Sequence, residues 1–214
     1  MLDDTAAAAA DEIRVRQRAL AADAETAGAG TDPGYVPELE RFGGYSHQEI
    51  WDRVHEELDP AALGAAAAAW QAGATALGAA FETFAAGTTR AFADWTGRSA
   101  DSALRATQDF IAEGLGAQAV CDTVRRLLEL NSDAAQTIRS AIPPPQPYLA
   151  LTDPVAEAVH GGRRRMEHDL SAAAAQAEAR DVLTYLYNPT MPATGASVPR
   201  FAQPRPGTGG SGTQ

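Results

Sequence analysis

Apolar positions along the chain recur every three or four residues and nowhere alternate over any length. The pattern therefore predicts helices and no strands, an all-α fold. The clearest run is Leu63, Ala67, Trp70, Ala74, Leu77, Phe81, Phe84, Thr88, Ala91 and Trp95, at spacings alternating between four and three. That is a heptad seam in which small and large side chains alternate, so a second helix can approach closely at the alanines. The helix is on the order of 50 Å long at 1.5 Å per residue. Ala93 to Gly97 ends it, with Gly97 as a C-terminal glycine free to take positive φ. Arg98 or Ser99 opens a second long helix with Leu104, Gln108, Ile111 and Leu115 on its seam. Val120, Val124, Leu127, Asn131, Ala134 and Ile138 follow in a shifted register. Gly114 and Gly116 sit at the shift and predict a stutter or local bend there, while Gln108 and Asn131 are polar seam positions of the kind that set register. The outcome is an elongated bundle built on a long antiparallel helix hairpin.

The flanks are less regular. Residues 1–30 predict an acidic, alanine-rich helical arm in which only Leu2, Ile13, Val15 and Leu20 are large enough to pack, ended by Gly28-Ala29-Gly30. Residues 31–44 read as a turn-rich linker. Ser46-His47-Gln48-Glu49 has the form of a capping box, opening a short helix to Leu58 with Ile50, Trp51, Val54 and Leu58 on one face. Asp59-Pro60 stops it and starts the long helix, with Asp as cap and Pro in the first turn. Ile142 to Pro147 predicts a stiff loop. Thr152-Asp153-Pro154 begins a further helix to about Leu186, with a weaker seam of Val155, Val159, Gly162, Met166, Leu170, Ala173 and Ala177. Asn188-Pro189 ends it, and residues 188–214, rich in Pro, Gly, Ser and Thr, are expected to be disordered. The main helical domain is then 45–187.

Composition narrows the function. The chain has 214 residues, 28 of them acidic against 17 basic, for a net charge of -11. Every basic residue is Arg. This opposes generic nucleic-acid binding, which needs cations to displace counterions, and adsorption to anionic membranes. The lone Cys121 excludes an internal disulfide and fits a small buried hydrophobe. No apolar run approaches the roughly 20 residues that span a bilayer, and the acidic start predicts no ordinary signal peptide. There is no phosphate loop, serine elbow or paired-cysteine spacing. His160 and His168, with Glu167 and Asp169, read as a solvated face rather than a metal site, and Arg163-Arg164-Arg165 as a solvated run offset by neighbouring acids. No catalytic set, cofactor, metal or small-molecule substrate is indicated.

Trp95-Thr96-Gly97 stands apart because it falls at the turn between two long alanine-rich seams. Here the chain resembles the WxG/PPE superfamily of type VII (ESX) secretion substrates of actinobacteria. The hairpin from Ala61 to Ile142 carries the match, with the short helix before it and the further helix after it closer to the PPE branch. The stretches Val182 to Pro189 and Val198 to Phe201 are similar to tails of PPE-like proteins. The Pro-Pro-Glu triplet that names that branch is absent. The resemblance implies a secreted, non-enzymatic helical protein, exported folded and without a signal peptide. Trp95 and Gly97 at the tip would form part of the signal, together with a Y-x-x-x-D/E element that Tyr45 and Glu49 match as a string. It also implies the type VII machinery as partner, and a helical-hairpin partner chain or a homo-oligomer. Glu49 has a competing role as the capping-box acid. The alternatives are an intracellular helical adaptor or scaffold, in which Trp95 is core and Gly97 only a cap, and a toxin-delivery module lacking its effector domain.

Overall fold

The computed structural model describes residues 4–27, 30–35 and 38–203. Among them the chain is mostly helical and has no strand, only an isolated bridge between Thr31 and Pro199. The six helices are α1 (Asp4–Ala27), α2 (His47–Glu56), α3 (Pro60–Ala91), α4 (Arg98–Ala141), α5 (Pro154–Val182) and α6 (Asn188–Thr194).

The helix starts are set by side chains that satisfy the orphan amides of a first turn. The Ser46 Oγ accepts from the Glu49 amide at 3.3 Å, and the Glu49 carboxylate accepts from the Ser46 amide at 2.7 Å, completing the box at α2. Asp59 takes the amides of Ala61 and Ala62 at 2.9 and 3.0 Å, and Asp153 takes that of Val155 at 2.9 Å. Pro60 and Pro154 each occupy the first turn, where a missing N–H costs nothing.

α3 packs along α4, from Ser132, whose hydroxyl donates to the Pro60 carbonyl at 2.9 Å, through Gln118 beside Gly78, to Phe81 over Gly114. The α3 seam holds as far as Phe81: Ala67 and Ala74 are buried and Leu63, Trp70 and Leu77 half-buried. Beyond it Thr88 stays on the inner face, joined there by Ala85 and Phe92, while Phe84 and Ala91 point outward. A straight 3.6-residue helix drifts from a strict heptad in this way. On α4 the second expected run holds, with Val120, Leu127, Ala134 and Ile138 buried and Val124 and Asn131 half-buried, whereas of the first run only Ile111 is half-buried. Ala100 and Gly114 are buried, whereas Leu104, Gln108 and Leu115 are exposed. The helix is also unbroken across Gly114 and Gly116. Gly114 instead makes room for Phe81: a Cβ there would lie 2.1 Å from the ring.

The main core gathers where α1, α2, the C-terminal half of α4 and the end of α5 meet. Ile50, Leu130, Ile138, Ile142 and Leu186 are fully buried, each contributing roughly 1.5–3 kcal/mol of transfer free energy. α1 is docked here through Ala10, Ile13, Leu20 and Ala24, with Arg16–Asp133 at 2.7 Å and Arg126–Asp23 at 2.9 Å along its edge. Val15 faces solvent, and Leu2 and Gly28-Ala29 lie outside the described residues. The linker is also partly structural. Phe42 is in the core, and the amides of Asp32 and Arg200 donate to Val198 and Gly30 at 2.8 Å.

The tail requires the main correction. Asn188-Pro189 does not end the last helix, and 188–203 is not a disordered tail. A π-helical turn, Leu183–Tyr187, leads into α6, and Asn188, Thr190, Thr194 and Ser197 are buried. Pro189 has no N–H for the carbonyl of Tyr185 four residues back, and its ring would crowd that carbonyl in a regular α-helix. The π turn widens the ladder, and the Arg14 guanidinium of α1 donates to the Tyr185 carbonyl in the amide's place. The Thr190 hydroxyl donates to Leu186, and that of Thr194 to Met191 and to Asn131 Oδ1 at 3.0 Å. Polar residues that read as tail are thus absorbed by local carbonyls. Residues 204–214 lie outside the described residues.

Candidate functional site

At the far end of the α3–α4 pair, Phe92 caps α3 and the chain turns through Ala93 and Asp94 to Trp95. The Trp95 amide donates to the Phe92 carbonyl at 3.2 Å, and the two rings sit 5.5 Å apart, tilted by 58°. Trp95 is 47% exposed: α3 stops short of it, so it leaves the seam that its spacing suggests. Gly97 has positive φ, as expected, but in a different role. At φ 99° and ψ 178° it is the N-cap of α4 rather than a left-handed end of α3, and its carbonyl accepts the Asp101 amide at 3.0 Å. That region of backbone space is essentially open to glycine alone. Open space surrounds it: a Cβ on Gly97 would meet nothing within 4 Å.

Tyr45 and Glu49 lie at the opposite end of α3. The 32 residues of that helix separate them from the tip by about 48 Å. The Tyr45 hydroxyl donates to Glu40 at 2.6 Å, which raises its pKa, and the Arg53 guanidinium lies 4.8 Å from the ring centroid. The Tyr45 carbonyl accepts from Gln176 at 3.0 Å and Arg180 at 2.7 Å, pinning α5 to the start of α2. Glu49 is held below its ordinary pKa of 4.5, chiefly by the Ser46 amide and then its hydroxyl. The chain therefore does not bring Tyr45 and Glu49 to Trp95 and Gly97. Both are occupied where they stand, Glu49 in the capping box.

Two apolar surfaces accompany the tip. On the α3–α4 pair, Phe84 and Phe110 are exposed, their rings 5.4 Å apart, with Phe81 5.2 Å from Phe110. Leu104 and Leu115 lie on the same helix as Phe110. Phe110 was hidden by its neighbour Ile111, which fits the expected seam. The expected seam already leaves Phe110 off its inner face, and Ile111 beside it is half-buried. The second surface is on α5, where all seven expected seam positions, Val155 to Ala177, are exposed. Its back is strapped by residues 143–151: Glu157 accepts the Leu151 amide and the Tyr148 hydroxyl, each at 2.9 Å, and His168 Nε2 donates to the Gln146 carbonyl at 2.9 Å. Arg164 and Arg165 reach Glu157 at 3.5 and 3.4 Å.

Among the described residues no three His, Cys, Asp or Glu side chains gather as metal donors, and no helix is long and apolar enough to cross a membrane. Cys121 is buried, and burial pushes its thiol pKa up. Comparison with protein-family models, with curated proteins and with solved structures returns no match.

Proposed function

We propose that the chain is a non-enzymatic substrate of a type VII secretion system, exported folded, with the α3–α4 hairpin as its WxG module and Trp95-Thr96-Gly97 as part of the export signal. The observation that carries this reading is Trp95, a large aromatic held half in solvent at a helix-pair tip beside a glycine whose conformation no other residue adopts readily. Such a residue contributes little to folding and offers a compact apolar anchor to a receptor. The acidic half of the signal comes from elsewhere than Tyr45 and Glu49 of the same molecule, since those sit at the other end of α3. A second chain or a neighbouring copy supplies it. The protein acts outside the cell or at the envelope after export.

Trp95→Arg tests the reading. It is expected to abolish appearance in culture filtrate while leaving the far-ultraviolet spectrum unchanged and costing no more than about 1 kcal/mol in denaturant unfolding, because the ring is half exposed. Unimpaired export of the folded variant would favour the adaptor or scaffold reading.

A further inference from the structure

We propose that α5 is a self-association element that pairs antiparallel with α5 of a second copy of this chain, about a two-fold axis at Met166. This does not rest on the export reading. Val155, Val159, Met166 and Leu170 are 71%, 69%, 59% and 67% exposed. With Gly162, Ala173 and Ala177, also exposed, they form one continuous stripe of α5, opposite the face the strap covers. The stripe is about 33 Å long, with its large aliphatic groups over about 23 Å of it at 1.5 Å per residue, which is unusual on a solvated helix, whose water-facing side is normally polar.

The occupant follows from the order of the residues. Counting from Val155 the spacings are 4, 3, 4, 4, 3 and 4, the same in both directions about Met166. A two-fold contact is self-complementary, each residue meeting the one at the mirrored position. In the antiparallel register centred on Met166, Val155 meets Ala177 of the second copy, Val159 meets Ala173, and Leu170 meets Gly162. A Cβ on Gly162 would meet nothing within 4 Å, so that position is an open hole for leucine. Each large group faces a small one, and the two methionines meet at the axis.

The charges choose the same arrangement. At 100° per residue, Arg163 and Glu167 share one flank of the stripe, and Arg165 and Asp169 the other. An antiparallel two-fold pair sets each flank against the same flank of the second copy. Arg163 then lies beside Glu167 and Arg165 beside Asp169, four opposite-charge approaches in all, against two like ones at the axis, Glu167 with its own copy and Arg165 with its own copy. A parallel pair in register reverses the balance: Arg163 beside Arg165 and Glu167 beside Asp169 give four like approaches, against two opposite ones between Glu167 and Arg165. The side chains are exposed, at 77%, 64%, 62% and 71% for Arg163, Glu167, Arg165 and Asp169, and would exchange pairs within the chain, Arg163–Glu167 at 3.7 Å, Arg165–Glu157 at 3.4 Å and His168–Asp169 at 3.3 Å, for pairs across the axis. One helix pair of this length is at the low end of what specific interfaces bury, so the dimer is expected to depend on concentration in the micromolar range.

The test is sedimentation equilibrium of the full chain from about 5 to 500 µM, with disulfide trapping of single-cysteine variants in a Cys121→Ala background. A monomer–dimer equilibrium is expected, weakened at least ten-fold by Leu170→Glu, a change on an exposed site that leaves the helix content intact. Met166→Cys should give a disulfide-linked dimer on mild oxidation and Val155→Cys should not, because in the antiparallel pair only the former meets itself. Trapping of both variants would indicate a parallel pair and overturn the assignment. A chain that stays monomeric at every concentration would overturn it as well, as would a dimer indifferent to Leu170→Glu.

Discussion

At the scale of single residues, two glycines do different work. Gly97 is needed for its backbone angles, Gly114 for its missing side chain. Gly114→Ala places a methyl group inside the ring of Phe81, which must swing away from the α3–α4 contact. Overpacking of this kind costs about 1–3 kcal/mol. Calorimetric melting should show that loss, and the same Gly114→Ala change made in a Phe81→Ala background should cost little, since the clash it creates is with the Phe81 ring. Gly97→Val leaves space unfilled but forces a forbidden backbone region, and is expected to cost about 1–3 kcal/mol with the loss confined to the tip. Hydrogen exchange rising at the start of α4, and not in the core around Ile138, would be its signature. Trp95 and Gly97 could be singled out from spacing alone. The exposure of Trp95 could not, because it depends on α3 stopping at Ala91, and element ends are poorly marked in a run of alanine and threonine that favours no particular stop.

At the scale of elements, capping chemistry was the most legible part of the sequence. Ser46, Asp59 and Asp153 all cap as their side chains suggest, because the interaction is local and needs no tertiary partner. Ser46→Ala should cost about 1 kcal/mol, measurable by urea unfolding. Faces were less legible. In helices this rich in alanine, several stripes satisfy heptad spacing, and the burial of Ala100 and Gly114 rather than Leu104 and Leu115 is decided by the partner helix. α6 was hidden because Pro189 and the threonines look like breakers, and the Arg14 guanidinium that rescues the Tyr185 carbonyl lies 171 residues away in sequence.

The strap over α5 has a pH window. Glu157 lies below its ordinary pKa of 4.5, mainly through the Leu151 amide and then the Tyr148 hydroxyl. Its contribution is therefore present above that pH and lost as pH falls through the lowered value. His168 lies above its ordinary 6.5, mainly through the Gln146 carbonyl and then Asp169. Its contribution is full below 6.5 and lost as pH rises through the raised value. The strap should be held best between about pH 4.5 and 6.5 and loosen on either side. The Leu151 amide, followed by nuclear magnetic resonance, should be most downfield in that window; a shift that keeps strengthening above pH 8 would contradict the assignment.

At the scale of the whole molecule, apolar groups are divided between a core at one end and exposed surfaces elsewhere. The core ties α1, α2, the C-terminal half of α4 and the π turn into one end, and apolar groups left in water lie along the α3–α4 pair, at its tip and on α5. That distribution fits the proposed reading, in which the chain meets other helices and a receptor, and a net charge of -11 disfavours anionic surfaces. The central claim is export, and the most direct measurement is an immunoblot of culture filtrate and cell lysate from two strains, one with an intact type VII ATPase and one lacking it. The protein should reach the filtrate only when the ATPase is present. Protein confined to the lysate in both strains, at good expression, would contradict the claim.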